Sequence, residues 1–278
     1  MKYTIKIYTA LCLIFVLLLS ISGSVGSIFG EALYVLSFAA PAIYGLYLSK
    51  GLHRKREEEA GVSLENKWYY SLSGESARLF IPLIIPVILS VMLVSFLTAL
   101  LLTLCGLTNP SQELSSLPRM LITNALLPAV LEELMFRYLP LKLILPYSKK
   151  ACIVVSAAYF ALIHCNLFSI PHALIAGVMF ISIDIAFDSV LPSLILHFLN
   201  NTLSIVMMKY CNSGTSYAIY FGVLGLLLLA SLAFIIRFRG KYKDIVKLLV
   251  NGEADIKSGY YPLLLIIPTA LIAILNLL

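Results

Sequence analysis

Charged side chains are scarce in this chain. They make up 12% of its 278 residues, against about 25% in soluble proteins. Apolar residues make up 60%. An ordinary soluble surface cannot be built from so little charge, so the composition excludes a soluble domain and points to the bilayer. Cysteine is sparse too: Cys12, Cys105, Cys152, Cys165 and Cys211 are odd in number and show no CxxC spacing. That excludes a disulfide-stapled fold and reads as free thiols packed in lipid or helix interfaces. Several motifs are missing. There is no HExxH, no Gly-rich phosphate loop, no GxSxG elbow and no CxxCH. No internal repeat or low-complexity segment is visible. The net charge of +6 does not imply nucleic acid, because the basic residues sit in short loops between apolar runs.

Long apolar runs are what the chain does have. They cover about 5–21, 28–48, 79–104, 117–145, 151–168, 171–187, 191–208, 217–236 and 261–278. Runs near 20 residues match the hydrocarbon thickness. The expected fold is therefore all-α, a polytopic transmembrane bundle of about eight or nine membrane helices. The first run follows Lys2 and Lys6 and is read as an uncleaved signal-anchor helix, because a second run comes directly after it. With the N-terminus inside, every basic residue except Arg119, Arg137 and Lys209 falls on the inner side. That bias predicts a multi-pass protein with a cytoplasmic N-terminus, most simply in the plasma membrane. Three parts are expected: N-terminal membrane helices over 1–116 with a basic cytoplasmic loop at 50–78, a core over 117–208, and C-terminal membrane helices over 209–278. The charged blocks around His53 to Glu59 read as a solvated surface segment.

One run is out of keeping with the rest. Glu132, Glu133 and Arg137 lie inside the apolar stretch 117–145. A charge at the centre of a lipid-spanning helix costs roughly 2.5–3.5 kcal/mol on transfer. Three survive together only if they satisfy one another or do chemistry. Glu133 and Arg137 are four apart and share a helix face, so they are expected to pair. Glu132 is turned about 100° away, which leaves it spare. Pro128 cannot donate to the carbonyl of Asn124, so a kink or local opening is expected before the acidic pair. Pro140 and Pro146 are expected to close this helix.

Other polar groups in the apolar runs are few: Glu31, His164, His172, Asp184, His197 and Asn201. Intramembrane ionisable groups are functional candidates by default. His197 and Asn201 are i, i+4 and share a face. His172 follows Pro171 at a helix start and reads as interfacial. Asp184 is expected to face the bundle interior. Cys165 is expected to point about 100° away from His164 on a helix, which argues against it as a ligand. Each lone histidine can also be a neutral group bonding across helices. A carboxylate in an apolar cavity can take a proton from water, with histidine sharing that task and His and Asn donating to an oxyanion. Alternatively, two histidines and a Glu or Asn hold Zn²⁺, which acidifies the water. Both arrangements hydrolyse a carbonyl, most simply a peptide bond.

The three motifs Glu132-Glu133-x-x-x-Arg137, Phe160-x-x-x-His164 and His197-x-x-x-Asn201 resemble those of the CPBP intramembrane proteases. That family includes the CAAX endopeptidases and the Abi-like proteins. Order and helix placement match over about 117–208. The resemblance implies that Glu132 is the catalytic carboxylate, assisted by His164. It implies that His197 and Asn201 shape the oxyanion site, and that Glu133, Arg137 and Phe160 support the set. It implies either zinc held with the help of His164 and His197 or a metal-free glutamate/histidine mechanism. The implied partners are the bilayer and a membrane-associated peptide or protein substrate, lipidated in some relatives. Tyr138 departs from the Gly that many relatives carry after the arginine. It is expected to narrow the cavity or alter substrate choice. The competing reading is a non-catalytic membrane immunity or partner-binding factor on the same scaffold. A transporter using Glu132 and the histidines as a proton relay fits less well, because such proteins often show internal repeats.

Overall fold

The computed structural model describes residues 2–24, 28–60, 69–108 and 115–250, and among these every regular element is helical. In chain order they are α1 (Lys2–Ser24), α2 (Ile28–Ala60), α3 (Gly74–Leu104), α4 (117–143), α5 (Lys149–Leu162), α6 (Ile170–Phe187), α7 (Leu191–Tyr210), α8 (Gly214–Arg237) and α9 (Arg239–Val250). The expected helix over 261–278 lies outside the described residues. Among the described residues, five helices are long and apolar enough to cross a membrane: Ala32–Lys55 within α2, α3, α6, α7 and α8. The expected eight or nine rested on apolar runs alone. Helix α5 has only 14 residues, about 21 Å at 1.5 Å per residue, short of the ~30 Å hydrocarbon core. The acidic helix α4 is long enough but not regular.

Its irregularity follows from its prolines. α4 widens into π turns at Leu121–Leu126 and Leu134–Tyr138, with a seven-residue α segment, Leu127–Glu133, between them. The first turn ends two residues before Pro128 and the second two residues before Pro140. Each proline lacks an N–H and crowds the carbonyl four residues back. A π turn relieves both problems by bonding i to i+5. So the expected opening at Pro128 is present, and Pro140 lies within the helix rather than closing it. The helix ends at Leu143, and Ser148 caps α5 by accepting from the Ala151 amide at 3.1 Å.

Carbonyls released by the second π turn are satisfied from neighbouring helices. Leu139 N–H bonds back to the Leu134 carbonyl. The next carbonyl, Met135 O, accepts from Tyr8 Oη of α1 at 3.2 Å. Phe136 O, which faces the donorless Pro140 four residues on, accepts from Ser156 Oγ of α5. Thr9 Oγ1 and Tyr159 Oη lie 2.7 Å apart and tie α1 to α5. Around these bonds the core is apolar and aromatic, with Phe15 packed on Phe38 of α2 (4.4 Å) and on Phe136 (5.8 Å).

Helices α5 and α6 cross closely because Gly177 has no side chain. A Cβ there would meet the Ala157 Cα at 2.8 Å. Asp188, with φ of 53°, ends α6 in the left-handed conformation that Asp tolerates. Asp188 thus caps α6. Asp184 is fully buried, and its Oδ1 accepts from the Ser193 amide in the first turn of α7 at 3.0 Å. It faces the interior as expected. Helix α8 lies outside the rest. Only Leu224 is buried, while Leu226, Leu229 and Ile236 are exposed, a face suited to lipid rather than water. All five cysteines are free, and Cys12, Cys152 and Cys211 are buried.

Candidate active site

The α segment between the two π turns presents Glu132 and Glu133 on different sides, as their spacing requires. Glu133 is almost wholly buried. Its Oε2 lies 3.2 Å from Arg137 Nε, and its Oε1 lies 2.7 Å from His197 Nδ1. Arg137 is fully buried, and its guanidinium carbon sits 4.0 Å from the centre of the Phe160 ring. That contact adds a cation–π attraction to the ion pair. The Arg137–Glu133 contact is an ion pair without hydrogen-bond alignment, so the ring contact matters for holding the guanidinium.

His197 faces both glutamates. Its Nδ1 is bonded to Glu133, and its Nε2 lies 3.8 Å from Glu132 Oε2. That oxygen of Glu132 is buried and has no protein hydrogen-bond partner. A separation of 3.8 Å is too long for a direct hydrogen bond and is the span one water bridges. The order along the site is thus Arg137, Glu133, His197, Glu132. Tyr34 of α2 lies within electrostatic reach of Glu132.

Phe160 is the hub for the imidazoles. Its ring meets His164 edge-on at 5.1 Å and His197 at 5.7 Å. His164 is not on a helix. Helix α5 ends at Leu162, and His164 stands in the turn that follows, with Cys165 at φ of 46°. The helical argument about Cys165 therefore does not apply; its thiol instead donates to the Leu162 carbonyl. His164 Nδ1 bonds to the Phe160 carbonyl at 2.8 Å. A carbonyl only accepts, so this places the proton on Nδ1 and leaves Nε2 as the acceptor of the neutral ring. His172 is held in the same way, by Nδ1 to the Phe168 carbonyl at 3.1 Å, and lies within electrostatic reach of His164.

Asn201 is half-buried, and its Oδ1 accepts from Asn200 Nδ2 at 3.4 Å. Tyr138 is buried and stacks on Tyr70 at 4.9 Å, with Lys142 beside the ring. It borders a pocket of about 290 Å³ shared with Tyr47 and Lys50 of α2. His172 lines a cavity of about 700 Å³ together with Asn200 and Ser204. The signal for these two was present in the sequence: Asn200 and Ser204 are four apart on α7, one turn beyond His197. Among the described residues, no three His, Cys, Asp or Glu side chains gather as a metal site.

Residues 114–203 match the family model described as type II CAAX prenyl endopeptidase Rce1-like. No curated protein matches the chain, and no solved structure does. The matched segment contains Glu132, Glu133, Arg137, Phe160, His164, His197 and Asn201.

Proposed function

From the match of residues 114–203 to the Rce1-like model of type II CAAX prenyl endopeptidases, we propose that this chain is an intramembrane endopeptidase acting on a membrane-associated peptide or protein. The observation that carries the reading is His197 spanning the two glutamates, 2.7 Å from Glu133 and 3.8 Å from Glu132. Glu133 orients His197 as a buried carboxylate orients the histidine of a hydrolytic triad. Arg137 in turn fixes Glu133. Glu132 keeps an oxygen for chemistry.

The reaction then runs as follows. A water held between Glu132 and His197 loses a proton to the Glu132 carboxylate as its oxygen attacks the peptide carbonyl carbon. His164 supports this step, since its Nε2 is an acceptor. The carbonyl oxygen becomes an oxyanion beside His197 and takes a hydrogen bond from the Asn201 amide. The C–N bond breaks, and the proton on Glu132 passes to the leaving amine. The new acid and the amine depart, and Glu132 is again a carboxylate. No step here is routed through a metal.

The test is cleavage of quenched fluorescent peptides, with and without an S-prenyl cysteine, by the purified protein in lipid nanodiscs. Glu132→Gln and His197→Ala should each lower turnover by at least about a hundredfold, the scale of general acid–base catalysis. Both variants should still insert. Full activity in both would sink the reading. Dialysis against EDTA should leave the rate unchanged; loss of activity restored by zinc would replace the metal-free mechanism with a metal-assisted one.

A further inference from the structure

The 700 Å³ cavity is a groove between α3, α6, α7 and α8, and its wall is mostly apolar: Met92, Phe96, Ala99, Met207 and Phe221. Phe96 is 63% exposed, so the groove opens sideways to the bilayer rather than being sealed in the bundle. Its polar groups are not scattered. Asn200, Ser204 and the His172 imidazole line the same groove, and the first two lie one helical turn apart on α7.

Two of these groups have capacity left over. Asn200 spends its amide N–H on Asn201, while its Oδ1 is buried and accepts from nothing in the protein. His172 spends Nδ1 on the Phe168 carbonyl, which leaves Nε2 as an acceptor. A buried acceptor without a donor costs roughly 1–3 kcal/mol. A lipid chain in the groove would supply no donor and would leave that cost in place. A peptide backbone supplies an N–H at every residue.

Length agrees. From His197 to Met207 the helix rises about 15 Å at 1.5 Å per residue. An extended chain covers that distance in about four or five residues at ~3.3 Å each. The groove therefore starts one turn from the catalytic imidazole and runs for a short peptide.

We propose that this groove binds the extended substrate segment flanking the cleaved bond, and that Asn200 Oδ1 and His172 Nε2 accept hydrogen bonds from its backbone N–H groups. The proposal rests on the endopeptidase reading and adds to it where the substrate lies and which residues position it. Backbone contacts are blind to side chains, so the site takes apolar peptides of unrelated sequence. Asn200 and His172 are positioning residues, since neither touches the reacting atoms.

The test has two arms on the full-length protein in nanodiscs. In the kinetic arm, Asn200→Ala and His172→Ala should raise KM about tenfold while kcat changes far less, and His172→Gln, which keeps an acceptor, should recover most of the loss. In the binding arm, p-benzoylphenylalanine replaces Phe96 in the Glu132→Gln background. Ultraviolet light should attach a biotinylated apolar peptide at this position, and unlabelled peptide should compete it away. Crosslinks to lipid alone at saturating peptide, with KM unchanged in Asn200→Ala, would overturn the groove assignment. If the wild-type protein cleaves no peptide, the endopeptidase reading fails, and the crosslink still decides whether a peptide occupies the groove.

Discussion

Glu133 touches Arg137 with one oxygen and His197 with the other, whereas Glu132 has an oxygen with no protein partner. The two adjacent carboxylates should therefore respond differently to the same change. Glu133→Gln strips the counter-charge from a fully buried arginine, and removing one member of a buried pair costs about 3–5 kcal/mol. It should lower the melting temperature in detergent sharply. Glu132→Gln should leave melting nearly unchanged while abolishing turnover. If the two variants melt alike, the division of roles is wrong. The Glu133–Arg137 pair was legible in the sequence, because i, i+4 spacing places both on one helix face. The His197 contact was not, since its partner lies 64 residues away and only tertiary packing selects it. The groove beside His172 was not legible either, since no local pattern shows that α3 leaves space there.

At the scale of the helix, prolines explain more than hydropathy does. Pro128 announced a break in α4, and a π turn precedes it. Pro140 was misjudged as a terminator, because the sequence does not show that Tyr8 and Ser156 stand ready to donate to the freed carbonyls. Those two hydrogen bonds can be tested singly. Ser156→Ala leaves the Phe136 carbonyl buried without its donor, and Tyr8→Phe does the same to Met135, each at about 1–3 kcal/mol. Urea or thermal unfolding should show losses of that size in both, with the larger effect on activity expected from Ser156→Ala because Phe136 adjoins Arg137. Equal stability to wild type would mean that the π turn satisfies itself. Gly177→Val is the harsher change. Its side chain would collide with the Ala157 backbone, so α5 and α6 must part, carrying Phe160 and Asp184 with them. Loss of both folded yield and activity is expected. The end of α5 at Leu162 was hidden because apolar residues continue past His164 and Asn166 to Phe168.

For the whole molecule, the all-helical membrane architecture was plain from composition, while the number of crossings was not. Apolar runs measure hydrophobicity, and α5 shows that an apolar run need not be long enough to span. Orientation rests on the distribution of Lys and Arg and makes a direct prediction. Cys105 is exposed at the end of α3, whereas Cys12, Cys152 and Cys211 are buried. In a variant that keeps Cys105 alone, a membrane-impermeant maleimide should label intact cells. Labelling only after lysis would reverse the proposed topology.

The bond between His197 and Glu133 also sets a schedule for synthesis. Helix α4 leaves the ribosome with three charges, about 3 kcal/mol each against residence in lipid. Arg137 answers one of them at once, but the imidazole arrives 64 residues later, roughly 3–13 s at about 5–20 residues per second. During that interval α4 is a poor lodger in the bilayer and needs the shelter of the insertion machinery. In a chain stopped after Val190, a single cysteine placed on α4 should react with a water-soluble maleimide, and in one extended through Tyr210 it should be protected.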